Sequence, residues 1–118
     1  MTTSNIPSRL LLPHYRLIAY QRCEELLLAV RAAEIRDASL RDQALRAAKS
    51  ACLNIIEAVG RTGVGDKKRV FGIARGEASE AAGAVVLAAI CGEASEAAAE
   101  RCAQLGVEVV AMLTKLAR

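Results

Sequence analysis

The chain has 118 residues, 53% of them hydrophobic and 3% aromatic, with no Trp and two Pro, so it is long enough for one compact core and too short for two. Ala (24 residues) and Leu (14) outnumber Val (9) and Ile (7), which favours helix and excludes an all-β fold, because Ala and Leu lose least on entering a helix. With 25% charged residues, 16 basic against 13 acidic groups and a formal net charge of +3, the chain is neither a disordered sequence nor an obvious polyanion binder.

Residues 1–13 hold both prolines, Pro7 and Pro13, after Thr2, Thr3, Ser4 and Asn5, and are expected to form a flexible lead-in that docks through Leu10, Leu11 and Leu12 onto a domain spanning 14–118. The N-terminus lacks the basic flank and apolar stretch of a signal peptide, and the longest apolar run, Ala81 to Cys91, is too short to span a bilayer. From about Tyr15 to Ile35, Tyr20, Cys23, Leu27 and Val30 recur at gaps of three and four, which predicts a first amphipathic helix. Asp37 and Ser39 offer caps for a second helix running to about Val59, with Leu45, Ala48, Cys52, Ile55 and Val59 on one face. Gly60, Gly63 and Gly65 then end it, and Asp66 is expected to cap the third. That glycine segment lacks the Lys-Ser or Lys-Thr ending of a phosphate-binding loop and follows no strand, so it reads as a helix–helix turn.

The third helix, about Lys67 to Cys91, carries Gly72, Gly76, Ser79 and Gly83 at gaps of four, three and four. This strip of minimal side-chain volume is expected to receive another helix, or another subunit, at close range. Ser95 is placed to cap a fourth helix in which Ala98, Cys102, Leu105, Val109, Met112 and Leu116 form a seam of alternating four- and three-residue gaps. Four such helices with three short connections predict an all-α, antiparallel up-down-up-down four-helix bundle. Its thin Ala-rich core, with Val85, Val86, Leu87 and Ile90 left over, predicts a homo-oligomer.

Residue types able to do chemistry are scarce. A di-iron bundle needs two Glu-x-x-His motifs, and here the single His, His14, stands beside Pro13, where a solvated or capping role is expected. Nucleophilic triads would depend on the same His14. Cys23, Cys52, Cys91 and Cys102 form no C-x-x-C pair, fall in apolar stripes, and read as core residues in a reducing cytosol. No catalytic, cofactor or metal site is therefore assigned. A structural polar network is expected instead from Asn54, Glu57 and Arg61 on the second helix with Arg75 and Glu80 on the third, centred on a Glu57–Arg75 ion pair. Residues 1–75 hold 13 basic and 7 acidic groups, whereas 76–118 hold 3 and 6. The densest basic run, Lys67, Lys68 and Arg69 with nearby Arg61, is the candidate nucleic-acid contact, although no aromatic residue interleaves it to stack bases.

The segment Arg46-Ala47-Ala48-Lys49-Ser50-Ala51-Cys52-Leu53-Asn54-Ile55-Ile56-Glu57-Ala58-Val59-Gly60-Arg61 resembles the signature R-A-A-x-S-I-P-x-N-I-A-E-G-x-x-R of bacterial four-helix bundle proteins first noticed in intervening sequences of 23S ribosomal RNA genes. Phe71-Gly72-Ile73-Ala74-Arg75-Gly76, with Glu80 following, is similar to that family's F-x-x-I-A-R-G-S-x-x-E segment. This chain has Cys52 where the signature has Pro, Ala58 where it has Gly, and Glu77 in place of Ser. The resemblance implies a small cytoplasmic bundle without established enzymatic activity that assembles as a ring, typically a pentamer. It also implies kinship with an accessory protein of diversity-generating retroelements that binds reverse transcriptase and nucleic acid. The expectation is thus a non-catalytic homo-oligomeric scaffold or accessory subunit whose partner is RNA or a nucleoprotein. The alternative is an oligomeric module for a protein or small ligand with no nucleic-acid role.

Overall fold

The computed structural model describes residues 5–118, so the first four residues of the expected lead-in lie outside the described residues. Among the described residues the 3-10 turns Ser8–Leu11 and Pro13–Arg16 precede four α-helices: α1 (Ile18–Ala32), α2 (Ala38–Gly60), α3 (Val64–Ile90) and α4 (Glu96–Leu116). Each helix packs on its neighbour in the chain, α4 closes back onto α1, and the diagonal α1–α3 contact is slight. The result is the all-α, antiparallel up-down-up-down bundle the periodicity predicts, 47 × 37 × 21 Å in extent.

Local chemistry sets the helix ends. The Asp37 carboxylate accepts from the Leu40 N–H at 2.9 Å and the Ser95 hydroxyl from the Ala98 N–H at 3.0 Å, so α2 and α4 begin at the expected caps. Asp66 does not cap α3: that helix starts earlier, at Val64 after Gly63, and Asp66 lies in its first turn, where a carboxylate favours the helix dipole. Helix α1 stops at Ala32, short of the expected Ile35, because Glu34 adopts a left-handed φ of 47°. Gly92, at φ 73°, makes the corresponding turn between α3 and α4 without a Cβ penalty. These two turns are clipped together, since the Arg36 N–H donates to the Glu93 carbonyl at 2.9 Å and the Arg36 guanidinium to the Gly92 carbonyl. Ile35, between them, is buried.

Alanine lines much of the core. Helix α2 buries Ala44, Ala47, Ala48, Ala51 and Ala58 beside Cys52 and Ile55, while Leu45 and Val59 of the expected face sit at its edge. In α1, Leu26 takes the fully buried place expected for Leu27, and in α4 Ala99 and Leu113 go deeper than Ala98, Met112 and Leu116. The close approach of helices occurs at Gly106, where an added Cβ would meet the Ala82 Cβ at 2.6 Å. The strip expected to provide it does not do so within the chain, because Cβ atoms at Gly76 and Gly83 would meet nothing within 4 Å and one at Gly72 only Ala117 at 4.0 Å. Ser79 and Gly83 instead line an outer groove between α3 and α4. Leu10, Leu11 and Leu12 remain about half exposed rather than docked. No helix among the described residues is long and apolar enough to cross a membrane.

Candidate functional site

The five polar residues expected to form one network separate into four groups. Glu57 pairs with Arg61 one turn on, Arg61 reaches Asp66 at 3.1 Å, and Asp66 accepts from Arg69 at 2.9 Å. Hydrogen bonding to Arg69 and the neighbouring guanidinium of Arg61 hold the Asp66 carboxyl below its ordinary range. Glu80 accepts from Arg46 of α2 at 2.7 Å, and Glu77 joins it at 3.3 Å. Arg75 turns to α4 and donates from Nε to the Thr114 hydroxyl at 2.7 Å, so the expected Glu57–Arg75 pair is not made. Asn54 donates within its own helix to the Ser50 carbonyl at 2.8 Å and takes no part in an interhelical network. The register of α2 on α3 explains this: Arg46 lies beside Glu77 and Glu80 and Arg61 beside Asp66, so Glu57 comes level with about residue 70, and Arg75 stands in excess of that by about five or six residues. At 1.5 Å per residue that excess is an axial offset of about 9 Å.

A second cluster has no counterpart in the sequence reading. The hydroxyls of Tyr15 and Tyr20 both donate to Glu24 Oε2, at 2.8 and 2.9 Å. His14 is only 8% exposed and lies edge-on to the Tyr20 ring at 4.4 Å, which corrects the solvated or capping role expected of it. The turn begun by Pro13 folds the imidazole against the start of α1. Burial, and then the hydrogen bond to Glu24, push the Tyr20 hydroxyl well above its usual pKa. The i, i+4 spacing of Tyr20 and Glu24 was a readable signal for half of this cluster.

Of the cysteines, Cys23, Cys52 and Cys102 are buried as expected, but Cys91 caps α3 and is exposed. Cys23 and Cys52, 29 residues apart on α1 and α2, bring their sulfurs to 3.6 Å in a buried thiol–thiol hydrogen bond. Among the described residues no set of three or more His, Cys, Asp or Glu side chains is arranged to hold a metal ion.

The antiparallel topology redistributes charge. The start of α1, the end of α2, the start of α3 and the end of α4 share one end of the bundle, which collects Arg16, Arg61, Lys67, Lys68, Arg69, Lys115 and Arg118 against Glu57 and Asp66. Arg61 and Arg69 are partly neutralised by those two acids, which weakens their assignment as candidate contacts. Among the described residues Arg16, Lys67, Lys68, Lys115 and Arg118 have no acidic partner within 4.0 Å, and Arg16 and Lys115 face each other across a groove of about 350 Å³ between α1 and α4. The opposite end gathers Glu34, Asp37, Asp42, Glu93, Glu96 and Glu100 together with Arg31, Arg36, Arg41 and Arg101. Along the side of the bundle, Val86, Val107 and Val110 line the α3–α4 groove of about 330 Å³. Ile90 and Val107 are 75% and 71% exposed there.

Comparison with curated proteins finds no match. The family model of the 23S rRNA-intervening sequence protein matches residues 15–115, from the Pro13–Arg16 turn almost to the end of α4. That span takes in both sequence blocks described above and all four helices, and the chain belongs to the 23S rRNA-intervening sequence protein family.

Proposed function

We propose that the protein is a non-catalytic, self-associating four-helix scaffold of the bacterial cytoplasm that binds RNA, alone or within a nucleoprotein such as a reverse transcriptase complex. The observation that carries this reading is the basic end of the bundle, where Arg16, Lys67, Lys68, Lys115 and Arg118 keep their charge free of acidic partners among the described residues. Phosphate contacts of this kind give affinity without reading bases, and no aromatic platform for base stacking stands beside Lys67 and Lys68. Self-association supplies repetition: each copy adds one modest basic end, and joined ends bind far more tightly than one. The α3–α4 groove, with Val107 exposed on its wall, supports assembly through that side, and the family resemblance implies a ring, typically of five copies.

The test measures mobility shifts of a structured RNA by the protein across a salt series, beside the Lys67→Ala/Lys68→Ala variant. Binding should weaken steeply with salt, and the variant should lose affinity at every salt concentration. No shift at low ionic strength would leave the alternative, an oligomeric module for a protein or small ligand.

A further inference from the structure

We propose that Cys23 and Cys52 constitute an oxidisable dithiol, which a hydroperoxide converts into a disulfide joining α1 to α2. The two sulfurs are 3.6 Å apart, so each is the other's nearest reaction partner, and a disulfide of about 2.05 Å requires them to approach by roughly 1.5 Å. Nothing else in the bundle offers this arrangement: among the described residues Cys102 is buried on α4 with burial pushing its thiol up, and Cys91 is exposed at the end of α3.

The two thiols are not equivalent. Cys23 is fully enclosed, and its hydrogen bond with Cys52 and its burial both raise its pKa, whereas Cys52 retains 6% exposure and has its pKa lowered by the hydrogen bond it shares with Cys23. Cys52, the less enclosed of the two, is therefore assigned to meet the oxidant as its thiolate, and Cys23, fully enclosed behind it, is the resolving thiol. In the first step the Cys52 thiolate attacks the terminal peroxide oxygen. An S–O bond forms, the O–O bond breaks, and the departing oxyanion takes up the proton that Cys52 released, leaving a sulfenic acid. In the second, the Cys23 sulfur attacks the Cys52 sulfur, the S–S bond forms, and the S–O bond breaks, with water carrying away the Cys23 proton. Two electrons pass from the thiol pair to one hydroperoxide, which ends as an alcohol, or as water, together with the water from the second step.

The experiment uses the full chain, fully reduced, with Cys91→Ser removing the exposed thiol. Hydrogen peroxide is added under native conditions, and intact mass and a non-reducing proteolytic map are recorded. The mass should fall by two hydrogens, one cross-linked peptide pair should contain Cys23 and Cys52, and Cys102 should remain open to alkylation after unfolding. The thermal midpoint should rise by roughly 10 °C and return with dithiothreitol, because the link closes a loop of about 30 residues. In Cys23→Ser the oxidised Cys52 should be trapped by dimedone, and in Cys52→Ser the remaining Cys23 should stay reduced. If either variant fails to fold, the peptide map of the parent still decides. Recovery of Cys23 and Cys52 as free thiols after peroxide, a gain of oxygen without cross-linking, or disulfides only between chains would each overturn the proposal.

Discussion

At the scale of single residues, Tyr20 has its hydroxyl held by Glu24 and its ring by His14. Burial first, and the hydrogen bond to Glu24 second, raise its pKa above the ordinary 10.0. A group that binds its proton more tightly when folded contributes stability that is fully present below the unfolded pKa. That contribution is lost as pH climbs past it, because the unfolded chain then gives up a proton the folded one retains. The Tyr20 contribution to the thermal midpoint should accordingly hold up to about pH 10 and decline above it, and Tyr20→Phe should flatten that part of the alkaline decline. At neutral pH the same substitution should cost about 1–2 kcal/mol, the worth of a buried hydroxyl donating to a carboxylate, measured by urea unfolding. Retention of the full alkaline decline in Tyr20→Phe would assign it to other groups. Cys52 is a second residue whose identity matters: the family-like signature has Pro there, which carries no sulfur, so the pairing with Cys23 belongs to this chain's own departure from the pattern.

At the scale of helices, what could be read in advance and what could not divide along one line. Side-chain periodicity reports which direction a residue faces, and caps such as Asp37 and Ser95 report where a helix begins, so the four elements and their order were legible. The axial stagger of one helix against the next is set by how whole faces of alanines and valines interlock, and nothing in a single helix's sequence encodes it. Arg75 thus lies beside Thr114 rather than Glu57, and within the chain the close helix approach falls at Gly106 and Ala82 rather than on the small-residue strip of α3, whose other expected occupant is a second subunit. His14 was missed for a related reason, since its burial depends on the Pro13 turn folding against α1 rather than on helical periodicity. Two glycines make the stagger testable. Gly106→Ala should destabilise the bundle by about 1–3 kcal/mol, because the new methyl lands on the Ala82 Cβ and a helix must move to admit it. Gly76→Ala meets nothing within 4 Å and should instead stabilise the bundle by up to about 1 kcal/mol of helix propensity, read as a higher thermal midpoint. Equal responses at the two positions would show that α3 and α4 are staggered differently.

At the scale of the molecule, folding converts an uneven charge distribution along the chain into a polar object. Antiparallel helices return Lys115 and Arg118 to the end that already holds Arg16, Lys67 and Lys68, whereas Arg31, Arg36 and Arg41 at the opposite end stand among Glu34, Asp37, Asp42 and Glu93. Assembly through the α3–α4 groove would set copies side by side with each basic end preserved, and this links the two halves of the proposed function in one measurable quantity. The slope of log affinity against log salt counts released counterions, about 0.9 for each duplex phosphate neutralised. An assembly engaging several ends should therefore show a slope several times that of a single copy. Val107→Glu, placed on the exposed wall of the groove, puts a charge into an apolar contact and should reduce the assembly to monomers while leaving the fold intact. Light scattering would follow the mass, circular dichroism the fold, and titrations at several salt concentrations the slope. In the monomer the slope should fall together with the affinity, whereas Lys67→Ala/Lys68→Ala should lower the slope with the mass unchanged. A monomeric Val107→Glu protein that kept the parent slope would show that a single copy makes every phosphate contact, and repetition of the basic end would then have no part in binding.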